Sequence, residues 1–423
     1  MTLILAINAG SSSLKLSLYH RRPSLPSLHL ILNASISNIQ SSDSQFNLSI
    51  DSRHFTDSIE AKDHSSAFAY FIGTIDKHPS IDKISIRYAC HRIVHGGTYT
   101  NPVRIDSQSY AHIEHLSDLA PLHNGAALSV IQACHVHLPN AVPMAFFDST
   151  FHQTIPPHIY SYAINQDIAV ERGLRKYGFH GLSYAYILRA ISEYLNKPRE
   201  TLNLIILHLG SGASACAVRR GVSLDTSMGL TPLAGLPGAT RSGSVDPSLI
   251  FHYTNKAGRI THDPSLVGDI GVTEAEDILN RKSGWKAISG SSNFKDIVEN
   301  ATHQGPPENL GENLHNLAFH LFLDRILNYI GAYHLKLGAR VDALVFAGGI
   351  GEQSPGLRQA IGDAVQCLQY QRIDSQRNRT VTFESSSVSD IGEGQADEGR
   401  ILVCKTDEQF EMAQECALDE NLW

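Results

Sequence analysis

Two short runs of glycine and serine interrupt otherwise apolar, alternating stretches of this chain. "ILAINAGSSSLKLSL" begins at Ile4 and "IILHLGSGASACAV" at Ile205; aligned without gaps, they match Asn8 with His208, Gly10 with Gly210 and Ser11 with Ser211. Each reads as an apolar strand, a small-residue turn and a second apolar strand. A tight Gly/Ser turn lets backbone N–H groups point outward and admits a bulky anion close to the chain. Two copies, one per domain and facing across a cleft, would grip a polyphosphate from both sides, with Lys15 as a cation just past the first. Taken singly, either also reads as an ordinary hairpin turn. A third Gly-rich turn follows the apolar run in "VDALVFAGGIGEQS", Val341–Ser354, where Gly348, Gly349 and Gly351 suit a backbone packed flat against a ring system such as adenine. None of the three is G-x-x-x-x-G-K-[ST] or a helix-opening G-x-G-x-x-G, so neither a P-loop nor a dinucleotide fingerprint is supported.

Histidine spacing suggests a second chemistry, metal binding. His91 and His95, His112 and His115, and His135 and His137 have ligand-like intervals, but a chain with 22 histidines produces such intervals by chance. No cysteine or third-ligand pattern supports zinc.

The elements that must carry these turns are legible in the pattern. Residues from about Leu28 to Arg53 are Ser-rich but keep period-2 alternation, which predicts strands of a meander. Helical periodicity appears in "SSAFAYFIGTID", "GAALSVIQACHVH", "SYAYILRAISEYL" and "LHNLAFHLFLDRILNYIGAYHLKL". The polar, turn-rich segments "THQGPPENLGE" and "FESSSVSDIGEGQADEG" predict surface loops. At roughly 100–200 residues per domain, 423 residues suggest two to four domains. A net charge of −8 without a basic cluster argues against a nucleic-acid or anionic-membrane partner. Six scattered cysteines with no C-x-x-C pair point to reduced thiols. No apolar run approaches the ~18 residues of a membrane span, and the N-terminus lacks the basic region of a signal peptide. The ending NLW is no peroxisomal address, so a cytoplasmic location is the expectation.

Nine motifs occur here in the order and spacing of the acetate kinase family: "INAGSSSLK", "HRIVHGG", "LAPLHN", "FDSTFH", "YGFHG", "HLGSGAS", "DTSMGLTPL", "TRSGSVDP" and "GGIGE". The chain resembles that family over essentially its whole length. The resemblance implies an α/β protein of the sugar kinase, heat-shock chaperone and actin superfamily, with two duplicated ribonuclease H-like domains and the active site in the cleft between them. The first would span 1–150 and be joined by a C-terminal helix at 407–423; the second, nucleotide-binding domain would span 151–406. It implies ATP/ADP as co-substrate, Mg²⁺, acetate or another short-chain carboxylic acid, and a homodimer.

The implied reaction is acetate + ATP ⇌ acetyl phosphate + ADP. Two anions must meet in line, so the problem is charge neutralisation and positioning. A carboxylate like that of Glu titrates near ~4.3, so the nucleophile is already ionised and no general base is required. By resemblance Arg92 and Arg241 line the site, on the carboxylate and the transferring phosphoryl group, where planar guanidinium donors meet oxygens two at a time. His180 resembles the residue that donates to an equatorial phosphoryl oxygen. Asp148, often described as a proton donor, has no proton to move here and is better suited to orient an Arg or a Mg²⁺-bound water. The resemblance places Mg²⁺ on Asn8 and Glu408, and phosphate on Lys15, Ser11, Ser12 and Ser13. His208, Leu209, Gly210, Ser211 and Gly212 would hold the other side of the nucleotide. Asn293, Phe294, Lys295, Gly348, Gly349, Ile350, Gly351 and Glu352 would hold the adenosine. Val94, Leu122, Phe179 and Pro232 would form a small apolar pocket for the acyl methyl.

Several positions depart from the common bacterial pattern. Thr98 stands where an acidic residue is usual, Ser211 for Asn, Ser244 for Asp beside a retained Asp246, and Leu182 and Tyr184 for Thr and His; "LHNGAAL" lacks a usual Pro. The nucleotide-contacting "DFRD"-type segment is Asn293-Phe294-Lys295-Asp296, which weakens bidentate contacts. The alternatives are a propionate or butyrate kinase, a pyrophosphate-linked acetate kinase, which the "GGIGE" loop argues against, and a non-catalytic nucleotide switch.

Overall fold

The structure, a computed structural model, describes residues 2–22, 28–41, 43–51, 53–116, 121–254, 272–301, 308–309, 313–395 and 398–422, without the side chains of 121–123. The chain divides into two compact units, Met1–Thr150 with Asp407–Trp423, and Phe151–Thr406. Among the described residues no helix is long and apolar enough to cross a membrane.

The first unit is built on eight strands: β1 (Thr2–Ala9), β2 (Ser13–Arg21), β3 (Leu28–Ser37), β4 (Ser44–Ile50), β5 (Arg53–Ile59), β6 (Ile86–Ile93), β7 (Val103–Arg104) and β8 (Val142–Phe147). They form one sheet in the order β5-β4-β3-β2-β1-β6-β8-β7. The meander predicted from about Leu28 is β3–β5. β1 pairs antiparallel with β2 and parallel with β6, and β6 pairs parallel with β8. β1, β6 and β8 therefore end at the same edge of the sheet. β1 is buried from Leu3 to Ala9 because both its faces are covered. On one face Leu3, Leu5 and Ile7 join Phe68, Phe71 and Val130 from the helices His64–Ile75 and Pro121–His137. On the other lies the helix Glu408–Leu418, whose Met412, Ala413 and Cys416 are buried. Gln409 Nε2 donates to Ser17 Oγ (2.8 Å), Arg21 Nε to the Ala417 carbonyl (3.2 Å), and the Tyr19 and Phe410 rings meet edge to face. Burying Met412 alone stabilises this seat by about 1.5–3 kcal/mol.

The second unit repeats that plan. Its strands are β9 (Leu204–His208), β10 (Ser214–Arg219), β11 (Val222–Thr226), β12 (Ala343–Ala347), β13 (Arg372–Ile373), β14 (Val388–Asp390), β15 (Gly392–Glu393) and β16 (Arg400–Cys404). The main sheet runs β11-β10-β9-β12-β16-β14. β9 is antiparallel to β10 and parallel to β12, as β1 is to β2 and β6, and β12 is parallel to β16. The echo between Ile4 and Ile205 is thus an echo of topology: a hairpin leading into parallel strands. Ile205 and Leu207 pack toward Phe319, Phe322 and Ile326 of the helix Leu314–Lys336. Leu204 and Ile206 pack toward Tyr184, Ile187 and Ile191 of the helix Gly181–Leu195.

Two sequence expectations are corrected here. The segment after β12 is not a turn but a helix, Gly348–Gln353. Gly348 has φ +74° and lies so close to Leu209 that a Cβ would stand 2.7 Å from its carbonyl oxygen. That carbonyl then accepts the Ile350 (2.8 Å) and Gly351 (3.2 Å) N–H groups, so contact with β9 sets the helix in spite of its glycines. The Ser-rich "FESSSVSDIGEGQADEG" holds β14 and β15 rather than only loop; Val388, opposite Cys404, and Ile391 are buried. Most of "THQGPPENLGE" lies outside the described residues.

Candidate active site

In the first unit, the coterminous ends of β1, β6 and β8 bring three polar side chains together. Arg92 donates from Nε to both Asp148 oxygens (3.0 and 3.2 Å) and from Nη2 to Oδ2 (2.6 Å). Its Nη1 donates to Asn8 Oδ1 (3.0 Å). Asp148 is 1% exposed, and its own N–H donates to the Ile93 carbonyl. Burial by itself lowers the Arg92 pKa, but the Asp148 carboxylate, its hydrogen bonds and Glu408 more than offset it and hold the guanidinium above its ordinary value. Glu408 thus acts on this group from the first turn of the helix Glu408–Leu418, which Asp407 caps by accepting from the Phe410 N–H (2.8 Å). Lys15 stands opposite Asn8 in the β1–β2 register, which puts the two on one face. Gly10–Ser12 make the turn, closed by Gly10 N–H to the Ser13 carbonyl (2.8 Å). His64 holds it from beneath, donating from Nε2 to the Gly10 carbonyl (2.7 Å). Burial lowers the His64 pKa, so it serves as a neutral donor.

Val94 is half-buried just past β6, and Leu122 lies in the first turn of the helix Pro121–His137, its side chain outside the described residues. The loop carrying Val94 is clamped: Asn124 Oδ1 accepts the His95 N–H (3.2 Å) and Ser149 Oγ the Gly96 N–H (3.1 Å). His91 and His95 are committed to the fold. His91 is buried in β6 with its pKa pushed down by burial to about 3, and His95 Nδ1 accepts the Gly97 N–H. Among the described residues no group of three or more His, Cys, Asp or Glu side chains could hold a metal.

In the second unit, the β9–β10 turn collects the other residues. His180 sits at the N-cap of the helix Gly181–Leu195 with φ +60°, a left-handed conformation costly for a residue with a Cβ. Its Nδ1 bonds Ser214 Oγ (2.8 Å), and its ring lies 4.4 Å from that of His208. A Cβ on Gly212 would lie 2.9 Å from Arg241 Nη1 and 3.9 Å from His180 Nε2, so the two side chains converge on the turn. The Arg241 loop is tied to the same turn: the Ala239 N–H donates to the Ser211 carbonyl (2.8 Å). Burial lowers the Arg241 pKa, yet an Arg stays charged. It presents positive charge beside backbone N–H groups. Phe179 and Pro232 are buried.

A cavity of about 580 Å³ opens next to the turn, lined by Gly210, Ser211, Asn293, Phe294, Lys295, Gly349 and Ile350 among others. Phe294 is mainly a core residue, 5.3 Å from Trp285 and 5.2 Å from Phe322 between ring centroids. The Leu209 side chain is likewise buried. Asn293 caps the helix Phe294–Asn300, and exposed Lys295 pairs with Glu299 (3.7 Å). Glu352 Oε1 accepts the Thr406 N–H (3.3 Å).

A profile of the Acetokinase family matches residues 3–414. The chain belongs to the acetokinase family. A "Probable acetate kinase" of Emericella nidulans is 45% identical over 99% of this chain and 98% of its own. A solved propionate kinase of Francisella tularensis superposes with a TM-score of 0.81 at 31% identity, covering 98% of this chain and 99% of its own. A Porphyromonas gingivalis acetate kinase superposes at 0.78 and 30% identity, covering 98% of each. The family's fold is the duplicated, actin-like ATPase fold, and it accounts for the repeated hairpin-plus-parallel-strand plan.

The family motifs did not reveal every residue that organises this site. His152, the last residue of "FDSTFH", donates from Nε2 to the Phe179 carbonyl (3.0 Å) while its Nδ1 meets Ser223 Oγ (2.8 Å). Burial pushes its pKa down to about 4. Arg358, 1% exposed, donates to the Gly351 and Glu352 carbonyls (2.8 Å each) and to Asn378, supporting the helix Gly348–Gln353 at its C-terminus. The sequence offered no signal for His64 or Arg358 beyond their residue types.

Proposed function

We propose that this protein transfers the γ-phosphoryl group of ATP reversibly to acetate, giving acetyl phosphate and ADP. The observation that carries this is the Arg92–Asp148–Asn8 cluster: a fixed guanidinium, charged and aimed by a buried carboxylate, in a member of the acetokinase family. Both Asp148 oxygens are engaged by Arg92, which supports orientation rather than proton donation. In this reading Arg92 takes the acetate carboxylate, and Arg241 and His180 take the transferring phosphoryl group. Val94, Leu122, Phe179 and Pro232 form the methyl pocket. Lys15 and the Ser11–Ser13 turn contact phosphate from the first unit, and His208–Gly212 from the second. Adenosine occupies the cavity lined by Asn293–Lys295 and by Gly349 and Ile350, with Gly348, Gly351 and Glu352 beside it, and a volume of about 580 Å³ favours a nucleotide over bare pyrophosphate.

Asn8 and Glu408 offer the hard oxygen donors that Mg²⁺ takes while keeping several waters, Asn8 through the second lone pair of the Oδ1 that accepts from Arg92 Nη1. Bound there, it would neutralise phosphate charge. A homodimer and a cytoplasmic location complete the proposal. The likeness to a propionate kinase makes propionate the competing acceptor. Trapping the acyl phosphate with hydroxylamine, using acetate, propionate and butyrate with ATP or pyrophosphate, tests the reading. Hydroxamate is expected to be greatest with acetate and ATP; none with any acid would refute it.

A further inference from the structure

We propose that Tyr184 and Ser214 are positioning residues that decide which ring nitrogen of His180 carries the proton. The Tyr184 hydroxyl lies 2.5 Å from Ser214 Oγ, and Ser214 Oγ lies 2.8 Å from His180 Nδ1. Tyr184 and Ser214 are both 0% exposed, so neither hydroxyl turns to water. Among the described residues, the Tyr184 hydroxyl has Ser214 as its one hydrogen-bond partner, and Ser214 Oγ has Tyr184 and His180.

Counting hydrogens gives the direction. If Tyr184 donates to Ser214, the Ser214 hydrogen goes to His180 Nδ1. That nitrogen is then an acceptor, and the neutral ring carries its hydrogen on Nε2. In the reverse order Nδ1–H donates to Ser214 and Ser214 to the Tyr184 oxygen, which leaves the phenol hydrogen with no acceptor in a dry interior. An unmade bond of that kind disfavours the reverse order by about 5- to 150-fold. Burial also holds the Tyr184 pKa well above its ordinary value, so the phenol keeps the hydrogen it must donate.

The nitrogen left as donor is the one on the catalytic side. Nε2 and Arg241 Nη1 both approach Gly212, within 3.9 and 2.9 Å of where its Cβ would stand, so the relay turns a residue with two possible tautomers into a set N–H donor on the side where the Arg241 cation converges. This step rests on the proposed role of His180 at the phosphoryl group. No charge moves along the relay; it sets orientation only.

The test is long-range ¹H–¹⁵N correlation on full-length protein labelled at histidine, with His180→Gln used to assign the signal. The wild-type ring is expected in the Nε2–H form. Tyr184→Phe, which keeps the ring and deletes the donor, should shift the tautomer ratio toward Nδ1–H by about 5- to 150-fold. It should also lower kcat while leaving KM for ATP and acetate within about twofold. Ser214→Ala should release the tautomer in the same way, and Ser214→Thr, which keeps a hydroxyl, should restore the wild-type spectrum. A wild-type Nδ1–H ring, or a Tyr184→Phe spectrum unchanged from wild type, overturns the proposal. Because the tautomer is read without turnover, an Nε2–H ring that Tyr184→Phe releases, in a protein that makes no acetyl phosphate, would support the relay and refute the kinase reading.

Discussion

Gly212→Ala offers a sharp separation of chemistry from stability. Gly212 lies outside the left-handed region, so alanine strains no backbone there. The nearest obstacle to its Cβ is Arg241 Nη1 at 2.9 Å. Ordinary contact begins near ~3.5 Å, so the guanidinium must retreat by roughly half an ångström. It is the far end of a long side chain, which gives way more readily than backbone, so the melting temperature should change by less than about 2 °C. Catalysis is less forgiving, since displacing a positioning group by about 1 Å can cost about 10²-fold. A loss in kcat of about 10- to 100-fold, or about 1.4–2.7 kcal/mol of barrier, is therefore expected. Gly348→Ala is the contrast: φ is +74° and the Cβ would meet the Leu209 backbone at 2.7 Å, so stability should fall by about 1–3 kcal/mol. Hydroxamate kinetics and thermal denaturation measure both quantities. A Gly212→Ala protein with wild-type kcat, or one whose loss of kcat follows a loss of melting temperature, would refute the placement of Arg241 at the reacting phosphoryl group.

Asp148→Asn removes the bonded counter-charge of the Arg92 guanidinium, leaving only Glu408, and should destabilise the first unit by up to about 3–5 kcal/mol. It should abolish most activity at every pH tested; loss of one limb of the pH–rate profile alone would restore a proton-transfer role. Val94→Ala should raise the propionate-to-acetate ratio of kcat/KM severalfold, within the ~1–3 kcal/mol that one methylene commands, and an unchanged ratio would remove Val94 from the pocket. Glu415 is half-buried on the helix Glu408–Leu418, and desolvation there, with the Glu411 carboxylate second, raises its pKa from the ordinary 4.5 to about 7. The folded state therefore holds a proton that the unfolded chain releases between those values, and wild-type stability falls as pH rises through that window. Glu415→Gln should melt higher than wild type at pH 8, by at most about 3 kcal/mol, with the advantage gone near pH 4.5; equal curves at both pH values would contradict the burial argument.

Local pattern showed the hairpins because their strands carry the same apolar run and small-residue break at Ile4 and Ile205. It showed the helices that cover the sheets because their apolar positions recur at helical spacing. It hid the helix Gly348–Gln353, because three glycines argue against helix and only the Leu209 carbonyl makes one. β14 was hidden because Ser386, Ser387 and Ser389 surround Val388, and pairing with β16 is non-local. In the site, motif resemblance named Arg92, Asp148 and His180 and suggested that Asp148 orients an Arg, but not which one or through which atoms. That Asp148 spends both oxygens on Arg92, or that Arg358 holds the Gly351 and Glu352 carbonyls, depends on strand ends and helices far apart in the chain. His152 and His180 look alike in sequence, each beside a Phe; only burial separates the buried latch from the half-buried ring at the β9–β10 turn.

The central claim is transfer of one phosphoryl group between ATP and a carboxylate, and ³¹P NMR of the purified protein with ATP, Mg²⁺ and acetate reads it directly. The account predicts ADP and acetyl phosphate appearing in equal amounts, and only when acetate is present. Inorganic phosphate formed without acetyl phosphate, or AMP with pyrophosphate, would contradict it.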